Sequence, residues 1–312
     1  ITTFFGQFLL VGLSLFILFL FIKQFRVDIL KEKNKLLLIL FQIILIVTAS
    51  ILVLRFNSDY LYIIPFCILP IVLKAFFDNR IALFSHLISI LIIGFIVPNS
   101  FEFVFLQLMA GIISILTVIK MYKRAQLFVS ATKIIIIYFI IYLSLYMMYE
   151  GSLTGINWNN LIYFLASGLL TLFAYPMIFG FERIFNLVSD ISLLELADTN
   201  NPLLRRLSEE APGTFQHSLQ VANLSEEAII EIGGNSLLVR AGAIYHDIGK
   251  IKDSMYFIEN QNANNNPHYN LSYEDSAKLI INHVSEGVSL AIANKLPNQL
   301  IDFIRTHHGT ST

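Results

Sequence analysis

The sequence predicts an all-helical protein in two parts: a polytopic membrane bundle of seven spans over residues 1–185 and an all-helical domain in water over residues 186–312. Of its 312 residues, 56% are hydrophobic and only 14% are charged, against about 25% charged in soluble domains. Residues 1–190 carry 13 Lys/Arg and 8 Asp/Glu, a net charge of +5, whereas residues 191–312 carry 8 and 14, a net charge of −6. This division predicts two environments, a lipid bilayer and then water. The sequence has no basic stripe of the kind that binds nucleic-acid polymers, so a nucleic-acid polymer is not a predicted partner.

Seven apolar stretches before residue 185 are long enough to be membrane spans. A helix needs about 20 apolar residues, with a range of about 17–25, to cross the hydrocarbon core. Pro65 and Pro70 predict a kink in the third stretch, which a membrane helix tolerates when its neighbours satisfy the freed carbonyls. Buried core helices of a soluble protein are the alternative, but so many apolar stretches leave almost no polar faces. The predicted spans are residues 3–22, 36–55, 60–76, 81–97, 101–119, 127–148 and 159–181.

Basic residues in the connecting loops predict the orientation of the bundle. The first, third and fifth loops together hold ten Lys/Arg, whereas the second, fourth and sixth hold only Arg55. Because cytoplasmic loops are enriched in Lys and Arg, the odd-numbered loops are predicted to face the cytoplasm. The protein is then a multi-pass protein of the cell membrane, with its N-terminus outside and its second part in the cytoplasm.

A few polar side chains fall within or near the predicted spans, among them His86, Gln107 and Lys133. Polar groups at membrane depth indicate a functional site by default. For His86 and Lys133, snorkelling towards the cytoplasmic face or helix packing is the simpler interpretation. No spaced carboxylates mark an ion path, which weakens the alternative of a transporter.

The second part alternates apolar and charged residues at helical spacing and carries clear helix boundaries. Asn201 before Pro202 predicts a helix start, because Asn is a good N-cap and Pro suits the first turn. Thr214 is the predicted cap of the next helix, and Gly233-Gly234 is its predicted end.

Six of the seven histidines lie after residue 216. A single histidine is more often a side chain with one ordinary hydrogen-bond partner than a metal ligand. His268 lies in an Asn-rich segment, Glu259–Asn270. This segment is either a solvated turn or the lining of a substrate site. As a set they indicate a metal site, because imidazole nitrogen and carboxylate oxygen bind Zn, Fe and Mn. Adjacent helical residues point about 100° apart, so His246 and Asp247 can meet at one centre but need ligands from other helices.

His217, His283 and the adjacent His307 and His308 can supply those ligands. Asp247 is the natural candidate for a carboxylate that bridges two ions. Two ions about 3.5–4 Å apart suit phosphoester hydrolysis, since they activate a water and neutralise phosphate oxygens. Lys250, three residues after Asp247, could reach a phosphate. Asp247 and Lys250 are therefore the predicted catalytic residues.

Six segments of the second part together resemble the HD superfamily of metal-dependent phosphohydrolases, whose defining pair is matched by His246-Asp247. The resemblance is closer to the cytoplasmic domain of seven-transmembrane HD proteins, which are bacterial membrane phosphodiesterases of the PgpH type. The segments are LLELADTNNPLLRRLSEEAPGTFQHSLQVANLSEEA, GAIYHDIGKI, YFIENQ, NPH, INHVSEG and DFIRTHHGT.

This resemblance implies hydrolysis of cyclic di-AMP to the linear dinucleotide pApA at a centre of two divalent metal ions, Mn or Fe, with Zn as a further candidate. It implies that Lys250 lies near the scissile phosphate. The residues that match the metal-binding positions of the family are His217, His246, Asp247, His283, His307 and His308.

The resemblance also implies that the sequence is a piece of a longer protein. A further metal-binding Asp is expected beyond Thr312, and an extracytoplasmic domain that receives an external ligand is expected before the first span. The alternative function is a catalytically weak or inactive receptor that binds a cyclic dinucleotide. The segment FERIFNLVSDISLLEL, residues 181–196, has no Gly/Ser linker and predicts a rigid helical junction between the two parts. A homo-oligomer stays open.

Overall fold

The computed structural model describes residues 2–118, 125–261 and 266–309. Every regular element in these ranges is a helix, which confirms the predicted all-helical class. The chain divides into two compact units, Ile1–Ser189 and Asp190–Thr312. The basic residues Lys120, Lys123 and Arg124 of the fifth predicted loop lie outside the described residues.

Within its described residues the first unit has nine α-helices and two 3-10 helices, Ser58–Ile63 and Thr171–Phe173. The α-helices are α1 (Thr2–Phe25), α2 (Val27–Lys31), α3 (Lys33–Leu54), α4 (Ile68–Phe76), α5 (Asn79–Gly94), α6 (Ser100–Thr117), α7 (Ala125–Glu150), α8 (Trp158–Leu170) and α9 (Ala174–Phe185).

Six helical segments of the described residues are long and apolar enough to cross a membrane, and they correspond to six of the seven predicted spans. The fourth predicted span, residues 81–97, lies on α5, which has only 16 residues and therefore rises about 24 Å. Ten residues of α5 are buried. This helix is therefore enclosed largely by protein, which explains how a short segment can lie in the bundle.

The third predicted span is broken, not merely kinked. The 3-10 helix Ser58–Ile63 ends before Pro65, and α4 begins afterwards with Pro70 in its first turn. Proline lacks the N–H that a continuous helix would need at this point. The Ser167 hydroxyl of α8 donates to the carbonyl of Ile64 over 3.0 Å, so a neighbouring helix satisfies an acceptor at the break.

A buried chain of polar side chains connects α5, α6, α7 and the start of α4. The Tyr138 hydroxyl donates to Gln107 Oε1 at 2.6 Å, and His86 Nε2 lies 3.0 Å from the backbone carbonyl of Gln107. Cys67 Sγ lies 3.7 Å from the Tyr138 hydroxyl. All four side chains are buried, so His86 serves helix packing, whereas Lys133 is exposed.

The second unit has six α-helices in its described residues, with four 3-10 helices between α13 and α14. The α-helices are α10 (Asp190–Leu196), α11 (Pro202–Glu210), α12 (Pro212–Glu231), α13 (Ser236–Tyr245), α14 (Tyr273–Ala293) and α15 (Asn298–Thr306). The 3-10 helices are Ile248–Ile251, Ser254–Tyr256, Ile258–Asn260 and Pro267–Asn270.

Two predicted helix boundaries are confirmed and one is wrong. Asn201 accepts a hydrogen bond from the Leu203 amide at the start of α11, and Gly233, with φ 76°, follows the end of α12. The predicted cap Thr214 is wrong, because α12 already begins at Pro212. Proline is preorganised for the first helical position, which frees the threonine side chain for a tertiary contact.

The prediction of a rigid helical junction over residues 181–196 is also wrong, because this segment is not one continuous helix. α9 ends at Phe185, and Asn186 adopts the left-handed conformation with φ 49°. Asparagine tolerates this conformation at a helix end better than most residues. The next helix, α10, begins only at Asp190.

Buried apolar side chains of α11, α13 and α15 hold the second unit together. Leu203, Leu204 and Leu207 of α11 are almost fully buried, and burial of each such side chain stabilises the fold by about 1.5–3 kcal/mol. The last five residues of α13, Ala241–Tyr245, are all buried. The polar residues that directly follow α13 are therefore carried into the interior.

Candidate metal centre

All seven predicted site residues lie on α-helices of the second unit or shortly after their ends. Two come from helix interiors, His217 of α12 and His283 of α14. The others follow helix ends: His246, Asp247 and Lys250 come after α13, and His307 and His308 come after α15.

The five imidazole rings form one continuous cluster. The ring centroid of His307 lies 5.0 Å from that of His246, 5.4 Å from that of His283 and 4.1 Å from that of His308. His217 joins the cluster through His246, with 5.7 Å between centroids. Several imidazolium rings would repel one another at these distances, so the cluster suits neutral rings that share cations.

Asp247 lies between two groups of potential ligands. One group is His217, His246 and Asp247 itself, and the other is His283, His307 and His308, with the ligand atoms of each group within 4.8 Å of one another. The Asp247 side chain is 3% exposed, and its Oδ2 lies 3.2 Å from His246 Nε2. Its Oδ1 lies 3.4 Å from the Nε2 atoms of His283 and His307. One carboxylate therefore contacts both groups.

Backbone carbonyls fix the tautomer of three histidines. The Nδ1 atoms of His246, His283 and His307 lie 2.6, 2.5 and 2.8 Å from the carbonyl oxygens three residues earlier. A carbonyl oxygen can only accept, so each Nδ1 carries the proton. In the neutral ring Nε2 then presents a lone pair. Such support of the far ring nitrogen is typical of metal-binding histidines.

These lone pairs face one another and the carboxylate. His283 Nε2 and His307 Nε2 are 3.3 Å apart, and among the described residues Asp247 Oδ1 has no hydrogen bond of ordinary geometry. Lone pairs that converge in a buried space repel unless a cation lies between them. The donor set, imidazole nitrogens with a carboxylate, therefore fits a divalent transition-metal ion.

The electrostatics of the site favour an ionised Asp247. Burial alone would raise the pKa of the Asp247 carboxyl, but the contact with His246 holds it well below its usual range. Burial would likewise lower the pKa of His246, yet Asp247 raises it. The ionised Asp247 carboxylate is thus stabilised by positive charge next to it, carried either by the protonated His246 ring or by metal ions.

Lys250 is held by two carboxylates. Its Nζ lies 2.8 Å from Asp247 Oδ2 and 2.8 Å from Glu259 Oε1, and 4.9 Å from the centroid of the Phe257 ring. Burial would lower the pKa of Lys250, but the two carboxylates raise it. Lys250 is therefore a fixed ammonium beside the histidine cluster.

A close backbone contact sets the distance between the two groups of ligands. Gly249, in the 3-10 helix after Asp247, packs against α14 so tightly that a Cβ atom would lie 1.8 Å from the carbonyl oxygen of His283 and 2.5 Å from the amide nitrogen of Gly287. No side chain fits here. The segment that carries Asp247 and the helix that carries His283 are therefore joined without an intervening side chain.

Sequence reasoning missed Glu259, Thr214 and Asn260, because their contacts join segments far apart in the chain. The Thr214 hydroxyl donates to Glu259 Oε1, and the Asn260 amide donates to the Thr214 hydroxyl. His268 lies apart from the cluster and uses both ring nitrogens on Tyr256 and Ser276. Asn260 thus gives the Asn-rich segment a structural contact, while its residues 262–265 lie outside the described residues.

A family described as "7TM receptor with intracellular HD hydrolase" matches residues 1–189. The HD domain family matches residues 214–312. The second match contains all seven predicted site residues.

Three curated relatives are similar to this chain. Cyclic-di-AMP phosphodiesterase PgpH of Bacillus subtilis (strain 168) is 34% identical over 324 residues, which cover 98% of this chain and 45% of the relative. The protein of the same name from Listeria monocytogenes serotype 1/2a (strain 10403S) is 47% identical over 131 residues, 42% of this chain and 18% of the relative. Ribonuclease Y of Acholeplasma laidlawii (strain PG-8A) is 35% identical over 97 residues, 31% of this chain and 14% of the relative. This chain spans less than half the length of each relative.

Two solved structures are also similar, both of the HD domain of L. monocytogenes phosphodiesterase PgpH. Each is 46% identical and covers 36% of this chain, with a TM-score of 0.35. One of them is a complex with cyclic-di-AMP, and this chain covers 53% of it, against 54% of the other.

Proposed function

The chain belongs to the family of 7TM receptors with an intracellular HD hydrolase, and from this premise we propose that it is a membrane-bound, metal-dependent phosphodiesterase that hydrolyses cyclic di-AMP to pApA. The resemblance of nearly the whole chain to a cyclic-di-AMP phosphodiesterase supports this substrate. The protein is a multi-pass membrane protein.

One observation carries the proposal: the buried Asp247 contacts histidines of both ligand groups. We assign His217, His246 and Asp247 to one divalent ion, and Asp247 with His283, His307 and His308 to a second. Two divalent ions, when bound, neutralise phosphate oxygens and activate water for attack on phosphorus. The nitrogen-rich set suits Mn, Fe or Zn, and we favour Mn or Fe.

The chain's own residues hold and orient the substrate. Lys250 offers a partly buried ammonium beside Asp247, and an ammonium is a good point contact for a phosphate oxygen. The carbonyl contacts of His246, His283 and His307 fix their rings, so that the Nε2 atoms would be the ones to hold the ions. Because these side chains are fixed before the substrate arrives, little reorganisation opposes the reaction.

The proposed orientation puts this site in the cytoplasm and the N-terminus outside. The distribution of basic residues between the loops supports it. We place the domain boundary at residues 185/186. We further propose that an extracytoplasmic domain of the protein receives an external ligand. We also propose that the protein assembles into a homo-oligomer.

Hydrolysis of cyclic di-AMP by the complete protein with Mn²⁺ or Fe²⁺ tests the function, beside an Asp247→Ala variant. We expect pApA from the parent and a loss of at least about 100-fold in the variant, because both ions lose a ligand. Full activity of the variant would refute the two-metal site.

Other outcomes distinguish related functions. Preference for cyclic di-GMP or single-stranded RNA would keep the chemistry and replace the substrate. Tight binding of cyclic di-AMP without turnover by the complete protein would establish the alternative, a receptor that senses a cyclic dinucleotide.

A further inference from the structure

We propose that Glu259 is a positioning residue that holds the Lys250 ammonium against the substrate phosphate. This inference rests on the proposed function, because it takes the ligand of Lys250 to be a phosphate. It concerns a residue outside the histidine cluster. Glu259 lies in the short 3-10 helix Ile258–Asn260, nine residues after Lys250.

The Lys250 ammonium contacts two carboxylates at once. Lys250 Nζ has three N–H donors, and two of them point to Asp247 Oδ2 and Glu259 Oε1, each at 2.8 Å. No third acceptor contacts Nζ among the described residues, which leaves its third donor for an anionic ligand. The side chain is 13% exposed, so its position is set by these contacts and not by solvent.

The two carboxylates that contact Lys250 differ in their other contacts. Asp247 contacts His246, His283 and His307 and is shared with the metal ions in the proposed site. If Asp247 holds metal ions, its hydrogen bond to Lys250 would be weaker. Glu259 contacts none of the proposed metal ligands in the structure's described hydrogen bonds, so it remains as the anchor of the flexible four-carbon lysine chain.

Glu259 is itself fixed to α12. The Thr214 hydroxyl donates to Glu259 Oε1 over 3.0 Å, and the Asn260 amide donates to that hydroxyl over 2.8 Å. The Thr214 amide donates to Asn260 Oδ1 over 3.1 Å. Thr214 is fully buried and lies one helical turn before His217. The ammonium is thereby held in register with a proposed metal ligand.

The start of α12 and the segment that carries Glu259 are tightly packed against each other. A Cβ atom on Gly213 would lie 1.9 Å from the carbonyl oxygen of Glu259, so the two backbones touch. A second lysine–glutamate pair, Lys252 with Glu286, has a similar separation of 2.7 Å, but its lysine side chain is 58% exposed. That pair lies at the surface and provides a matched control.

The experiment is a double-mutant cycle in the complete protein, with Glu259→Gln and Lys250→Met. Glutamine keeps an oxygen for Thr214 and removes the charge that holds the lysine. We expect Glu259→Gln to lower kcat about 10- to 100-fold, as small displacements of catalytic groups do, with unchanged metal content. In the Lys250→Met background the same substitution should add less than about 2-fold.

Three further variants separate positioning from folding. Glu286→Gln should leave kcat unchanged. Thr214→Ser should retain activity because it keeps the hydroxyl, whereas Thr214→Val should lose activity as Glu259→Gln does. An equal loss from Glu259→Gln with and without Lys250, or a loss of bound metal in Glu259→Gln, would overturn the proposal.

The affinity for cyclic di-AMP, measured by calorimetry in the same cycle, keeps this test separate from the proposed function. If the parent binds cyclic di-AMP but does not turn it over, the proposed hydrolysis fails. Glu259→Gln should still weaken binding in the parent and not in Lys250→Met. Equal weakening in both backgrounds, or none in the parent, would overturn the positioning role. If the parent hydrolyses only bis(p-nitrophenyl) phosphate, the kcat cycle is measured with that probe.

Discussion

At the scale of single residues, protons compete with metal ions for the His246 ring. Burial opposes the charged ring, but the contact with Asp247 raises the pKa of His246. Without metal, this ring therefore holds its proton to a higher pH than an ordinary histidine does. A metal ion must displace that proton, since only the neutral ring donates to a metal.

We therefore expect metal affinity to fall as the pH drops through the raised pKa of His246. Each displaced proton changes the affinity by up to about 10-fold per pH unit. Calorimetric titration of Mn²⁺ in buffers of different ionisation enthalpy should show proton release near neutral pH. A heat that does not depend on the buffer would contradict this expectation.

The choice of residues could be predicted from the sequence, but their mutual support could not. His246-Asp247 and the later histidines stand out because six imidazoles in a short region need an explanation. Glu259 did not stand out by itself, because a single glutamate at the start of an Asn-rich segment has the same pattern as a surface residue. Only the fold brings it to Lys250.

At the scale of elements, the contact between Gly249 and α14 controls the site. Gly249→Ala would push a Cβ atom into the carbonyl oxygen of His283. We expect a loss of about 1–3 kcal/mol in stability, the usual cost of overpacking, together with loss of bound metal. Thermal unfolding and metal analysis would measure both.

A suitable control is Gly180→Ala in α9, where a Cβ atom meets nothing within 4 Å. Alanine favours helix over glycine, so this variant should be neutral or slightly more stable. Gly249→Ala with normal stability and metal content would show that the backbone contact does not set the site.

In the first unit, the hydroxyl of Tyr138 connects α7 to Gln107 of α6. We expect Tyr138→Phe to destabilise the bundle by about 0.6–2 kcal/mol, in the range of hydrogen bonds between membrane helices. Unfolding in detergent would measure this loss. Tyr149→Phe, at an exposed position of the same helix, is the control and should have no effect.

The elements themselves followed from apolar length, but their interruptions did not. Apolar length predicted six segments that the structure has, because a run of about 20 apolar residues has few other uses. At the break near Pro65, the Ile64 carbonyl accepts from Ser167, which lies about a hundred residues later. The Thr214 hydroxyl does not cap α12 but donates to Glu259, 45 residues later. Such long-range partners leave no local pattern.

At the scale of the whole molecule, the proposed orientation can be tested with single cysteines. Cys67 is fully buried, so it should not react with a membrane-impermeant maleimide. Ser152→Cys, in the loop between α7 and α8, should react in intact cells. Asn34→Cys, in the first turn of α3, should react only after permeabilisation. The reverse pattern would invert the proposed topology.

The positions of the helix ends have a consequence for the order of binding. α13 and α15 both terminate at the histidine cluster, with His246 and His307 as their C-cap residues. A helix C-terminus carries a partial negative charge of roughly 0.5, so two macrodipoles add to the charge of Asp247. These partial charges favour cations at the histidine cluster, while the nearby Lys250 ammonium favours an anion. We therefore expect chelator-treated protein to bind a cyclic dinucleotide more weakly than metal-loaded protein does, and returned metal to restore the binding.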